Sequence, residues 1–379
     1  MSYMTAVVRK IIKSVDWLIV GPLIFIALAG MITMNSFVEE SHFFNRQIIW
    51  VIISLLTLFL ASMIDWRFLR RSGVIVTAFL ASCFILLLLF GVGPTKGARS
   101  WFDLGSFAFQ PVDFVKLVLV VLLAKYFGRR HIEIANVRHI LVSGFYTFCL
   151  FVLVFLQPDF GSAIIIFLIW FGMVLVSGIS KKHLIAVFLV GMISFGGLWT
   201  FVFQDYQKQR ISSFIHPLTD LQGAGYNAYQ STIAVGSGEI FGKGVGLGSQ
   251  SKLKFLPEYE TDFIFAAFSE EWGFVGVVIL FLFYAILFWR ILDISKKGAS
   301  NFEILFGMGL TTLLFSHFVI HVGMNVGLLP VTGITMPFMS YGGSHLLTEF
   351  LALGILMGMK NYGRPTDKIT VKNEIVGIV

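Results

Sequence analysis

Ten long apolar runs, separated by polar segments, constrain this chain more than any other feature. A helix needs about 20 mostly apolar residues to cross a bilayer. The runs that approach or exceed this length are residues 16–36, 47–64, 72–92, 112–128, 139–157, 161–178, 183–203, 263–291, 303–323 and 343–359. Only 13% of the residues are charged, against about 25% in soluble domains. The sequence therefore predicts an all-α polytopic membrane protein with ten transmembrane helices in one domain, residues 1–363, followed by a tail at 364–379.

Basic residues are concentrated in alternate loops of this predicted topology. The clusters lie at residues 9–13, 67–71, 125–138, 181–182, 290–297 and 360–372. Because Lys and Arg are enriched in cytoplasmic loops, we expect both termini in the cytoplasm, which requires an even number of spans. The net charge of +7 follows from this pattern, so it does not indicate a nucleic-acid partner.

Three polar loops fall on the opposite, extracytoplasmic side. They are residues 93–112, 204–261 and 324–342, and the largest joins the seventh and eighth spans. Loops of this length are usually functional or disordered. Three of them on one face predict a reaction centre at the outer membrane surface.

Asp262 is the residue we predict to be catalytic. It closes the 204–261 loop directly before the eighth span, with Glu258 close by. A carboxylate in a cleft at the membrane surface can act as a general base. The alternative is that Thr261 or Asp262 caps the helix, since Asp and Thr are favoured cap residues.

Asp113 and Lys116 lie in the first turn of the fourth span. Their i, i+3 spacing places them on one helix face, where they can pair. An ionisable residue inside a span costs about 2.5–3.5 kcal/mol on insertion scales, so it usually faces a partner or a cavity. The pair is either functional or a structural ion pair near the interface.

Two further charged residues lie beside outer loops. Arg46 precedes the second span and could anchor it at the interface or bind a phosphate through two hydrogen bonds. Asp159 follows Pro158 in the short turn between the fifth and sixth spans. It could cap the sixth span or belong to a site.

Several other positions have a structural and a functional interpretation. Glu270 and Glu271 lie about two turns inside the eighth span and need partners there. A glycine-bearing turn precedes the last span and consists of Ser340, Tyr341, Gly342, Gly343 and Ser344. His317 and His321 could share a metal ion, but no third ligand is evident, so we interpret them as packing or hydrogen-bonding residues.

These motifs, in this order, resemble the SEDS (shape, elongation, division and sporulation) family of cell-wall proteins over residues 17–363. The segments that carry the resemblance are Lys96–Gly105, Phe109–Pro111, Gln157–Asp159, Gly223–Asn227, Gln230–Ser231, Gly236–Gly238, Gly242–Gly244, Leu256–Glu258, Thr261–Ala266, Glu270–Glu271 and Ser340–Ser344. Leu329–Gly333 and the Gly-Ala-Gly-Tyr segment resemble the RodA elongation branch more than the FtsW division branch.

The resemblance implies a peptidoglycan glycosyltransferase of the bacterial cytoplasmic membrane. Such a protein joins lipid II units into glycan strands and releases undecaprenyl pyrophosphate. The family's essential acidic residue falls on Asp262, its charged pair on Asp113 and Lys116, and its Arg-Gln motif on Arg46 and Gln47. The expected partner is a class B penicillin-binding protein, a transpeptidase, besides lipid II and membrane lipids.

The full set of residues expected at the site is larger. Residues predicted to bind substrate or pyrophosphate are Arg46, Lys116, Asp113, Arg99, Asp159 and Lys243. Residues predicted to support the site are Glu258, Glu270, Glu271, Ser340, Tyr341, Gly342, Gly343 and Ser344. Whether a divalent metal ion, Mg²⁺ or Mn²⁺, assists is left open.

The chain departs from the family pattern at a few positions. Asp113 stands where glutamate is usual, which keeps the charge and shortens the side chain by one methylene. Ser100 stands where many members have arginine, and Glu239, Thr335 and His345 also replace usual residues. None of these changes removes the predicted base.

Two other functions are compatible with the sequence. A flippase that moves lipid II outward would also need intramembrane charges and broken helices. A non-catalytic scaffold that recruits a transpeptidase would not depend on Asp262. Strand formation from lipid II in detergent, where nothing has to cross a membrane, distinguishes the enzyme from both.

Overall fold

The computed structural model of this chain is mostly helical over the residues that it describes. It describes residues 15–36, 42–93, 99–103, 105, 108–128, 137–201, 208, 212, 214, 224–253, 255–256 and 258–362. Three predicted features lie wholly or largely outside the described residues: the N-terminal basic cluster, the first part of the 204–261 loop, and the tail at 364–379.

The helices occur where the apolar runs predicted them, except for two helices, residues 224–237 and 249–252, that lie inside the predicted 204–261 loop. In chain order they are α1 (Trp17–Asn35), α2 (His42–Met63), α3 (Ser72–Leu88), α4 (Pro111–Gly128), α5 (Val137–Phe155), α6 (Phe160–Val176), α7 (Lys181–Phe201), α8 (Ala224–Ser237), α9 (Ser249–Lys252), α10 (Ile264–Lys296), α11 (Asn301–Asn325) and α12 (Gly343–Lys360). Short 3-10 turns cover Trp66–Arg70 and Leu89–Gly91. The 93–112 loop contains a small antiparallel ribbon, β1 (Phe102–Asp103) with β2 (Ala108–Phe109).

Seven of the helices that the structure describes are long and apolar enough to cross a membrane: α1, α2, α3, α5, α7, α10 and α11. Helix α6 is as apolar but has only 17 residues. Helices α4 and α12 differ because they carry buried charged side chains. The fold is therefore polytopic, and the total of ten crossings stays a prediction.

Helix α4 lies at the centre of the bundle. It packs against α3, α5, α6, α11 and α12, and most of its residues are buried. Pro111 begins the helix, a position where its missing N–H costs nothing.

Helix α7, in contrast, is largely exposed: Ile193 is 75% exposed and Phe201 is 90% exposed. Apolar side chains this exposed are suited to contact with lipid.

Asp16 contacts residues near the ends of three helices. Its carboxylate lies 2.7 Å from Arg290 Nη2 of α10 and 2.7 Å from Lys360 Nζ of α12, and it also caps α1. Burial would raise the pKa of Asp16, but the bonds to Arg290 and Lys360 outweigh it and hold the pKa below its ordinary value. The deprotonated carboxylate therefore stabilises the fold.

Asp16→Asn should lower the free energy of unfolding at neutral pH by about 2 kcal/mol. This is less than the about 3–5 kcal/mol lost when a fully buried ion pair is broken, because Lys360 is partly exposed. Since the folded pKa lies below the ordinary value of 3.8, this contribution is fully present at neutral pH and is lost as the pH falls below that value. Thermal unfolding in detergent measures it. Lys182→Gln, which removes an exposed charge at the start of α7, is the control. Equal stability of the two variants would contradict the role of Asp16.

Candidate active site

Asp262 lies two residues before the start of α10, and it is half-buried. Phe263, rather than Thr261 or Asp262, is the N-cap residue of the helix. The carboxylate faces Gly333: a Cβ added to this glycine would lie 3.6 Å from Asp262 Oδ2. Gly333, which has φ 73°, therefore lies beside the carboxylate.

The backbone around Asp262 is held by three separate hydrogen bonds. The carbonyl oxygens of residues 260–262 are the acceptors. Tyr341 N–H donates to Glu260 O at 2.8 Å, and Ser340 Oγ donates to Thr261 O at 2.8 Å. Asn325 Nδ2 donates to Asp262 O at 3.0 Å. Such bonds fix both the position and the direction of the loop, so the Ser340 turn is a structural support of the candidate base.

Arg46 lies at the same end of the bundle. It is exposed in the first turns of α2. Its neighbour Gln47 donates to Ser340 O at 3.1 Å, and Phe43 packs edge-to-face on Tyr341 at 4.9 Å. Because Ser340 also bonds to Thr261, Arg46 adjoins a residue that contacts the support of the Asp262 loop.

Asp159, Gln110 and Ser344 form a second group of contacts at this end. Asp159 Oδ1 accepts from Ser162 N–H at 3.0 Å, so Asp159 caps α6, which is the structural alternative left open by the sequence, and its predicted role in substrate binding stays a prediction. Asp159 Oδ2 accepts from Gln110 Nε2 at 3.3 Å, and Gln110 N–H donates to Ser344 Oγ at 3.3 Å.

The two groups are joined through the loop that carries Gly333. A Cβ added to Gly161 would lie only 2.6 Å from Thr332 O, so the start of α6 packs directly against the residue before Gly333. In the same way, Gly343 lies against the ring of Trp50 in α2, where a Cβ would overlap the indole at 2.2 Å. These close approaches bring Asp262, Asp159 and the 340–344 turn to one end of the bundle.

Asp113 and Lys116 form the predicted pair, but inside the bundle. Their charged atoms are 3.2 Å apart, and both residues are less than 5% exposed. Lys116 Nζ also lies 3.4 Å from His317 Nε2. His317 and His321 hydrogen-bond to the carbonyls of residues 335 and 334, which confirms the hydrogen-bonding interpretation of these rings.

Lys243, Glu270 and Glu271 form a separate cluster further along α10. Glu270 Oε1 accepts from Lys243 Nζ at 2.7 Å and from Ser249 Oγ at 3.1 Å. Glu271 Oε1 accepts from Gly246 N–H at 2.6 Å. The two glutamates therefore bind the glycine-rich segment 242–248, and the ammonium group of Lys243 is engaged with a carboxylate.

A break in α10 explains why this segment packs there. Gly273 has φ 64° and ψ −169°, a conformation that favours glycine. The break frees the N–H groups of Phe274 and Val275, which donate to the carbonyls of Glu239 and Ile240. Buried backbone groups need such partners, so the loop completes the hydrogen bonding of the broken helix.

Arg99 is exposed and lies at the ends of α3 and α5. Its backbone N–H donates to Gln157 O at 3.1 Å, and Nη1 donates to Phe90 O at 3.2 Å. Glu258 is also exposed; its carbonyl accepts from the N–H groups of residues 261–263, which shapes the turn before α10.

Two residues with a structural part in this site were not singled out in the sequence. Asn325 ends α11 and bonds to the Asp262 carbonyl, and no spacing or motif marks it. Glu349 of α12 is buried beside His345. The rule that drew attention to Glu270, a carboxylate inside an apolar span, would also have found Glu349.

A metal site made only of protein side chains does not fit the described residues. Among them, no three His, Cys, Asp or Glu side chains gather in a way that could hold an ion. The buried carboxylates Asp113, Glu270 and Glu349 are paired with Lys or His.

The sequence matches a known protein family over most of its length. The FtsW/RodA/SpoVE family model, described as "Cell cycle protein", matches residues 9–364. The chain belongs to this SEDS family. The resemblance predicted from the motifs is confirmed, including its RodA-like relatives.

Two members of the SEDS family are similar to this chain over most of their length. Stage V sporulation protein E of Bacillus subtilis (strain 168) is 33% identical over 348 residues, which cover 90% of this chain and 93% of that protein. Peptidoglycan glycosyltransferase MrdB of Escherichia coli (strain K12) is 38% identical over 290 residues, which cover 76% and 78%.

Solved structures show the same fold. The crystal structure of the rod shape determining protein RodA of Thermus thermophilus is similar with a TM-score of 0.69 at 29% identity, covering 93% of this chain and 98% of RodA. A chain from a peptidoglycan synthase complex that coordinates polymerization and crosslinking has a TM-score of 0.78 at 29% identity, covering 91% and 97%.

Asn325→Leu should destabilise the protein by about 3 kcal/mol, because the part-buried carbonyl of Asp262, the buried carbonyl of His321 and the Ala266 N–H each lose a hydrogen-bond partner. Thermal unfolding in detergent measures the loss. Thr311→Val is the matched control, since its hydroxyl bonds only within α11. If both variants unfold at the same temperature, Asn325 does not hold the loop.

Proposed function

We propose that this protein is a peptidoglycan glycosyltransferase that polymerises lipid II into glycan strands during cell elongation and releases undecaprenyl pyrophosphate. Membership of the SEDS family and the names of its relatives support the reaction class. The observation that carries the assignment is the position of Asp262, a half-buried carboxylate whose loop is fixed by three backbone hydrogen bonds.

The site would lie on the outer face of the bacterial cytoplasmic membrane, in a ten-span topology with both termini inside. Helix α10 supports this orientation. After its break at Gly273 it continues over residues 274–296, which corresponds to about 35 Å, enough to cross a bilayer. Asp262 precedes its first turn, whereas Arg290, Lys296 and Lys297 lie at its other end. Basic residues mark the cytoplasmic side, so Asp262 would face outward.

The proposed step is a displacement at an anomeric carbon. The GlcNAc 4-hydroxyl of an acceptor lipid II attacks C1 of the terminal MurNAc of the growing chain. The new C1–O bond forms as the bond from C1 to the lipid pyrophosphate breaks, and the electron pair leaves with the pyrophosphate. Asp262 takes the hydroxyl proton as general base. Attack opposite the leaving group inverts the configuration, as in inverting glycosidases.

The leaving pyrophosphate needs positive charge, and a preorganised cation supplies it without further rearrangement. Arg46 is the best placed of the predicted phosphate ligands, since it is exposed and its neighbour bonds to the Ser340 turn. Arg99 is also exposed. Lys116 and Lys243 contact carboxylates, so we expect them to act through their charge rather than by direct contact.

The proposed partner is a class B penicillin-binding protein that crosslinks the new strands. The similarity to a chain from a peptidoglycan synthase complex supports such a partner. We expect the contacts to involve the 204–261 loop and helices α10 and α11. Several apolar side chains of α10 are exposed, among them Phe274 and Trp289, so that helix has surface free for lipid or for a partner helix.

Asp262→Asn should abolish strand formation from lipid II by purified protein in detergent, a loss of at least about 100-fold, because a general base contributes that much or more. Gel analysis of labelled glycan measures the product, and thermal unfolding verifies that the variant is folded. Asp65→Asn, an exposed carboxylate remote in sequence from the site, should retain full activity.

The same assay tests the rival functions. A flippase has nothing to transport in detergent, so wild-type protein would make no strands. A scaffold would also make none, and Asp262→Asn would then leave partner recruitment unchanged. Strand formation by wild type and by Asp262→Asn alike would end the assignment of the base.

A further inference from the structure

Glu349 of α12 is a buried carboxylate with no part in the chemistry proposed above. Its side chain is 4% exposed. Oε2 accepts a hydrogen bond of 2.9 Å from the backbone N–H of Phe338, and Oε1 lies 3.0 Å from His345 Nε2. Glu349 therefore joins the turn before α12 to the buried charged residues of the bundle.

The turn that Glu349 holds has a strained backbone. Phe338 has φ 62°, a left-handed conformation that costs a residue other than glycine about 1–2 kcal/mol. Two more contacts support it: Tyr284 OH donates to Pro337 O at 2.5 Å, and Met336 N–H donates to Ser340 Oγ at 2.8 Å. Strain of this kind persists only where surrounding contacts fix it.

The shape of this turn decides where two hydrogen-bond donors point. Ser340 Oγ donates to Thr261 O, and Tyr341 N–H donates to Glu260 O. These acceptors are the two residues immediately before Asp262. A single segment, residues 336–341, therefore lies between Glu349 and the loop of the proposed base.

The charges around Glu349 account for its place inside the bundle. A buried carboxylate needs a cation, and Asp113 already pairs with Lys116. His345 lies between the two carboxylates, with Nδ1 3.4 Å from Asp113 Oδ1 and Nε2 3.0 Å from Glu349 Oε1. The imidazole ring therefore contacts both acids, and the ring of His317 stacks on it at 4.9 Å.

We propose that Glu349 is a positioning residue, which fixes the direction of the Asp262 carboxylate through the 336–341 turn. The proposal rests on the proposed function of Asp262. It also gives the Asp113–Lys116 pair a role inside the bundle, since the pair reaches Glu349 through His345. A displacement of about 1 Å at a reacting group can reduce a rate about 100-fold, so the effect of a distant contact can be large.

Glu349→Met removes the acceptor and keeps the length of the side chain. It should lower kcat for lipid II polymerisation about 10- to 100-fold with KM little changed, because the misplaced base is needed only in the transition state. Glu349→Gln keeps an oxygen for the Phe338 N–H, so its kcat should stay within about threefold of wild type. Failure of Glu349→Gln to rescue kcat would contradict the proposal.

Glu303→Gln is the matched control. Glu303 is also a buried carboxylate, and it bonds to Arg70 and Ser300 at the start of α11. The variant should lose stability and keep kcat per folded molecule. If it lowers kcat as much as Glu349→Met does, the effect at Glu349 is one of general stability, and the positioning role is overturned.

A double variant tests the path. If Glu349 acts through Ser340, then Glu349→Met combined with Ser340→Ala should lose no more kcat than the worse single variant. Losses that multiply would show that the two residues act independently and would overturn the proposal. Ser340→Ala alone should reproduce the fall in kcat, which keeps the test valid if Glu349→Met does not fold.

Hydrogen exchange of the protein in nanodiscs tests the contact path without any activity. Glu349→Met, or Ser340→Ala in its place, should speed amide exchange in residues 258–262, and Glu303→Gln should not. If the wild-type protein makes no glycan, the proposed function fails. The exchange rates still test the contact between Glu349 and the Asp262 loop, because they do not depend on activity. Unchanged exchange, with wild-type kcat in Glu349→Met, would overturn the positioning role.

Discussion

Three consecutive backbone carbonyls, those of residues 260–262, each accept a hydrogen bond from a different group, and the remainder of the site is arranged around this support. Two donors come from the turn before α12 and one from the end of α11. A carboxylate on an exposed loop would sample many directions. Here the loop is hydrogen-bonded to the end of α11 and to the turn before α12, so Asp262, at the end of a long polar loop, is held in a fixed position.

A cluster of buried charged residues inside the bundle contacts the same turn. Asp113, Lys116, His345 and Glu349 form one connected cluster between α4 and α12, and its last member bonds to the turn that supports the Asp262 loop. Burying four ionisable groups is costly unless they neutralise one another. The cluster also has a structural effect, since Glu349 accepts a hydrogen bond from the strained turn at Phe338.

The fold was largely predictable from the sequence, because the length of an apolar run and the position of basic loops are local properties. The Asp113–Lys116 pair and the cap at Asp159 were predictable for the same reason: i, i+3 spacing and helix starts are local. The hydrogen bonds of Asn325 and Ser340 were not, since their acceptors are backbone carbonyls far away in the chain. The contact between Lys243 and Glu270 depends on the break at Gly273, which the apolar sequence of α10 does not reveal.

A structure of the Asp262→Asn variant with lipid II in a lipid nanodisc tests the central claim most directly, since the variant should bind substrate without consuming it. The account predicts the side chain at position 262 within about 3.2 Å of the 4-hydroxyl of the acceptor sugar, the reach of a general base, with Arg46 facing the pyrophosphate of the donor. A substrate bound with its sugars away from position 262, or at the opposite end of α10, would contradict it.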